Sequence, residues 1–106
     1  MTVKEILDAL GINNIDDHFE STTALPFAVI KHEKTNRLFA DDKPYANIEE
    51  NCVELYTDRY RNNELTTAIE NALNDNGYLC ETEDDYIAEE KLYRVTLYYE
   101  ELITNG

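Results

Sequence analysis

Apolar residues recur along this chain in two rhythms. Val3, Ile6, Leu7 and Leu10 share one face of a helix over residues 2–10. Thr2 and Glu5 form a Thr-x-x-Glu capping box, which satisfies two orphan N–H groups. Gly11 stands where a left-handed stop is expected. Up to Leu25 the apolar residues Ile12, Ile15 and Phe19 are scattered, which reads as an ordered connection. A strand is expected from Phe27 to Glu33, with a turn at Lys34-Thr35-Asn36 and a return strand from Arg37 to Ala40. Asp41-Asp42-Lys43-Pro44 is a loop signal, because proline cannot donate to a ladder. Residues 46–57 form the next strand region, with Val53 and Leu55 on one face and Cys52, Glu54 and Tyr56 on the other.

The clearest helix spans 63–76. Leu65, Ala68, Ile69, Ala72 and Leu73 make a stripe wide enough to cover a sheet. Asn62 or Asn63 is placed to cap it, and Asn76-Gly77 to end it. Tyr78 to Glu83 reads as a strand and Asp84-Asp85 as a turn. Lys91 to Leu102 reads as the longest strand, with apolar or aromatic residues on both faces and hence central or covered twice. Hairpin-length connections dominate. The expectation is an α+β fold in the order αβββαββ: a mostly antiparallel sheet with helices packed on one face.

Composition narrows this picture. The 106 residues make one domain, 1–106, with one modest core. A hydrophobic fraction of 42% argues against disorder. No run approaches the roughly 18 apolar residues of a membrane span. The opening Met-Thr-Val-Lys-Glu-Ile lacks a basic region followed by an apolar stretch, so a secretory signal is not expected and a soluble, intracellular protein is. Lys and Arg number 9 against 23 Asp and Glu, a formal charge of -14. Direct contact with nucleic acid or an anionic membrane is therefore not expected, because phosphate recognition needs a basic face.

Candidate chemistry is sparse. Asp41-Asp42 and Asp84-Asp85 lack the alternating ligands and turn glycine of a calcium loop, and read as solvated or partner-facing acids. His18 and His32 have no second histidine at ligand spacing. Cys52 and Cys80 form no CxxC pair and read as two reduced thiols, bridged only if they sit on adjacent strands. Nucleophile and phosphate-loop motifs are absent, so no catalytic residue, metal site or cofactor is expected. The eight tyrosines are more suggestive, since tyrosine is enriched at protein interfaces. Tyr93 and Tyr99 alternate with Val95 and Leu97 and are assigned to the core. Tyr98 lies on the opposite face and is the better interface candidate.

Several stretches together resemble a known family. They are Leu25 to Lys31, Leu38 to Tyr45, Val53 to Asp58, the helix with Leu65, Ile69 and Leu73, and Glu90 to Tyr99. The run resembles the small tail-completion and tail-terminator proteins of long-tailed phages and prophages of Gram-positive bacteria. That resemblance implies a subunit of a ring, often hexameric, that caps the head-proximal end of the tail tube. Its partners would be its own copies, the tube protein and the head connector. It would assemble in the host cytoplasm, end in the virion tail, and have no enzymatic activity. The loop with Asp41, Asp42 and Tyr45 matches a family stretch and is expected at an interface. The alternative is an acidic inhibitor that imitates DNA and binds a host DNA-processing protein. A small hydrolase comes third, for want of motifs.

Overall fold

The computed structural model describes residues 2–16, 25–40, 43–58, 63–89 and 91–104. Among these residues, two helices and five strands follow one another as α1 (Val3–Ala9), β1 (Asn13–Asp16), β2 (Phe27–Ala40), β3 (Lys43–Thr57), α2 (Asn63–Asp75), β4 (Cys80–Ile87) and β5 (Leu92–Thr104). The strands form one mixed sheet in the order β1-β2-β3-β5-β4. β1 runs parallel to β2, and every other neighbouring pair is antiparallel. The molecule is elongated, with extents of 51 × 28 × 20 Å.

Local chemistry sets both helix ends. The Thr2 hydroxyl accepts from the Glu5 N–H at 3.2 Å, and Glu5 accepts from the Thr2 N–H at 3.0 Å. Those bonds hold the Glu5 carboxyl below its ordinary range. α1 ends in a Schellman turn: Ile12 N–H donates to Leu7 C=O and Gly11 N–H to Asp8 C=O, with Gly11 at φ 73°. α2 ends in the same way. Tyr78 donates to Leu73, Gly77 donates to Asn74, and Gly77 stands at φ 86°.

One face of the sheet meets the helices. Val3, Ile6 and Leu7 of α1 and Ile69 and Leu73 of α2 share a buried cluster with Ala28, Val53, Leu55, Val95, Leu97 and Tyr99. The strand members alternate along β3 and β5, as a pleated sheet requires. Leu7, Ile69 and Leu73 are fully buried, each contributing about 2 kcal/mol. β5 is internal, between β3 and β4.

Four sequence expectations are corrected. Lys43-Pro44 is not part of a loop, because both residues lie in β3, paired with Ala40 and Phe39. Lys34-Thr35-Asn36 is not a turn, because β2 runs straight through it to Ala40. What happens there is a bulge: His32 faces Asn51 and Lys34 faces Glu50, so Glu33 is the extra residue. Asp84-Asp85 is not a turn either; both lie inside β4, opposite Val95 and Arg94. The reversal comes later, near Lys91, which has φ 55°. Finally, the connection after α1 contains β1. Asn14 anchors this strand by donating to Asp8 Oδ1 at 2.8 Å and accepting from Lys4 Nζ at 3.0 Å. The proposed cap Asn62 and His18 lie outside the described residues, as does the side chain of Asn63.

Candidate interaction surface

The second face of the sheet has a different chemistry. At one end Phe27, Val29 and Tyr56 form a small apolar cluster with Ile15, Leu25, Ile87 and Leu92. Next along β3 comes Glu54, almost wholly buried. Its carboxylate meets Lys31 Nζ at 3.0 Å and Arg94 Nη1 at 3.4 Å, and it accepts from the Tyr56 hydroxyl at 3.2 Å. Arg94 also grips Asp85 through two parallel bonds, of 3.1 and 2.6 Å. The partners support one another: the hydrogen bond to Glu54 raises the Lys31 pKa, and the bond to Asp85 raises that of Arg94. Burial pushes the Tyr56 hydroxyl up. This network pairs Glu54 and Asp85 with cations at the centre of the face.

Beyond it the face is acidic and open. Cys52 donates its thiol hydrogen to Glu33 Oε1 at 3.1 Å, a contact the bulge makes by turning Glu33 towards it. Burial first, and Glu33 second, push the Cys52 thiol up to about 12. An open groove of about 960 Å³ lies at this end of the sheet, bordered by Glu33, Glu50 and Tyr98 and also by Gly77, Cys80 and Tyr99 of the helix side. His32 sits on the bulge, its Nδ1 against Asn51 Oδ1 at 2.8 Å and its Nε2 against Thr35 Oγ1 at 2.9 Å. Cys80 packs towards the helices. With β5 lying between the strands that carry Cys52 and Cys80, the two are roughly 10 Å apart at least, and both thiols are free.

The sequence-derived interface candidates separate. Tyr98 is exposed at the groove, and its hydroxyl donates to Glu83 Oε2 at 3.4 Å. Its pKa is raised, by desolvation first and Glu83 second. Asp41 and Asp42 lie outside the described residues. The backbone of Tyr45 belongs to β3, where Leu38 faces Ala46 and Phe39 faces Pro44, leaving Tyr45 as the extra residue of a second bulge. Tyr45 lies seven residues along β3 from Cys52, the partner of Tyr98, which is about 23 Å at strand rise. The two positions therefore lie far apart along the sheet. Of the two assigned to the core, Tyr99 is buried and Tyr93 is half-buried, its ring 4.8 Å from that of Tyr86.

Two features were not anticipated from the residues alone. One is the burial of Glu54 between two cations, which alternation could have flagged by placing Glu54 between Val53 and Leu55 in a strand. The other is the exposed pair Leu102 and Ile103, 65% and 45% accessible, on a stretch of β5 that β4 does not cover. Among the described residues no three metal-ligating side chains converge, and no helix is long and apolar enough to cross a membrane.

No family model matches the chain, and neither does any curated protein. Among solved structures, a chain from the virion of a native gene transfer agent particle is similar in fold, with a TM-score of 0.56 at 11% identity. The match covers 94% of this chain and 84% of that one.

Proposed function

We propose that the chain is a structural subunit of a phage-like tail, acting in tail completion or head–tail joining as a member of a ring that caps the tail tube. The observation that supports this is the fold similarity to a virion chain over 94% of this chain and 84% of that one. The surface is consistent with it. The centre of the second face is occupied by ion pairs, while the end of the sheet beyond it offers an acidic groove and strand edges that no other strand flanks among the described residues. Such a subunit works by contact and needs no cofactor or catalytic group. Its partners would be its own copies, the tube protein and the head connector, met in the host cytoplasm and retained in the virion tail.

The test is deletion of the gene followed by electron microscopy of the lysate. The expected result is overlong tails or tails unattached to heads. Particles of normal length and infectivity would overturn the reading.

A further inference from the structure

Two uncovered edges lie level with each other in the sheet. β1 covers β2 only from Phe27 to Ile30, and β4 covers β5 only as far as Tyr99. Beyond those points the described residues form a sheet three strands wide, β2-β3-β5. There, Lys34 to Leu38 and Glu100 to Thr104 pair with opposite sides of the same stretch of β3, Ala46 to Glu50. Each open segment is about 17 Å long at strand rise. Among the described residues, no strand lies beside the outer N–H and C=O groups of either.

Both segments are regular enough to accept another strand. The β3–β5 register has no shift, and the two shifts in β2 fall on either side of Lys34 to Leu38. The outer edge of β4 is defended instead by exposed Glu81, Glu83, Asp84 and Asp85. The open β5 segment exposes Leu102 and Ile103.

Charge selects the occupant. Glu50 faces Glu100, and Glu49 faces Glu101, two like-charge pairs side by side across β3 and β5. Such pairs are destabilising, and a cation on the outer side offsets them. On the other open edge Lys34 and Arg37 are exposed, and neither forms an ion pair among the described residues. The surplus positive charge on one edge matches the surplus negative charge on the other.

We propose that the Lys34–Leu38 edge of one copy pairs with the Glu100–Thr104 edge of the next, carrying the sheet from copy to copy. β2 and β5 are each antiparallel to β3, so they run parallel to one another and the new pairing is parallel. Continuing the sheet without sliding sets Lys34 beside Glu100, because both stand level with Glu50. The same register puts Arg37 beside Ile103 and one diagonal step from Glu101 on the other face. The contact is head to tail, so repetition closes a ring or extends a filament. This deepens the ring reading given above.

The test uses the full chain in sedimentation velocity, with variants Lys34→Glu, Glu100→Lys and the two combined. All are surface changes on exposed strand positions. The expected result is that the unmodified chain associates, that each single reversal weakens association about tenfold, and that the double swap restores it. Amide hydrogen exchange across Glu100 to Thr104 should slow as the chain concentration rises. A chain that stays monomeric, or association that neither single reversal disturbs, overturns the edge pairing. Rings that survive both reversals would leave the tail reading standing without it. Edge-dependent association in a chain whose deletion leaves tails normal would do the reverse.

Discussion

Cys52 is a residue whose behaviour follows from its neighbours. Its side chain is fully buried on β3, and its thiol donates to Glu33. An ordinary thiol ionises near 9, whereas this one is held up to about 12. The unfolded chain therefore gives up its thiol proton first as pH rises. The stability held below pH about 9 is lost progressively towards pH about 12. Lys31, whose pKa is also raised, adds to the loss in the same direction above its usual 10.5, because the unfolded lysine discharges before the one bound to Glu54. The urea midpoint should thus fall between about pH 8 and pH 10.5 in the native sequence, and fall less in Cys52→Ala. Parallel pH profiles for the two proteins would remove Cys52 as the cause. None of this was readable from Cys52 alone. The thiol is tuned first by its burial and then by a bulge that brings in Glu33, and the bulge arises from pairing across β2 and β3.

At the scale of elements, the helix ends are local and the strand ends are not. Thr2 with Glu5, and the glycines at 11 and 77, act within one turn of chain, so the sequence pattern and the structure agree at those points. Gly77 stands at φ 86° with open space where a Cβ would go. Gly77→Ala should therefore cost about 1 kcal/mol from backbone strain alone, without a packing defect, and urea unfolding should show it. A loss several times larger would mean that the turn does more than end α2. Strand ends depend instead on distant partners. Lys34-Thr35-Asn36 has turn composition, yet pairing with Ile48 to Glu50 keeps it extended, and Asn36 donates to Glu50 at 2.8 Å. Asp84-Asp85 likewise has turn composition, but the Arg94 clamp on Asp85 holds it in β4. β1 has only four residues, with asparagines that disfavour strands, and is held by its pairing with β2 and by the bond from its Asn14 to Asp8 of α1. These are tertiary decisions, and no window of a few residues contains them. The same holds for the candidate surface: the exposed face of Tyr98 was legible from alternation, but the level placement of the two edges appears only once β2 and β5 are both registered on β3.

At the scale of the molecule, the net charge of -14 opposes the compact state, and part of that opposition is concentrated. Glu49 with Glu101 and Glu50 with Glu100 put four carboxylates on adjacent strands at the open end of the sheet. Within the subunit Asn36 and Lys34 lie against Glu50, and Thr35 and His32 against Glu49, so Glu100 and Glu101 keep the outer side of the repulsion, which Lys34 of a neighbour would offset. Stability and association should therefore respond oppositely to one substitution. Glu100→Gln removes a like-charge neighbour of Glu50 and should raise the melting temperature of dilute protein by about a degree. It should also weaken self-association, because Lys34 loses its counter-charge. Salt separates the two effects further: about 0.5 M should narrow the difference in melting temperature between Glu100→Gln and the native sequence, while weakening assembly of the native sequence more than that of the variant. Thermal unfolding at low concentration and sedimentation at high concentration measure the two arms independently. A variant that gained on both would show that the carboxylates at this edge serve no contact, and that their repulsion is a cost with nothing set against it.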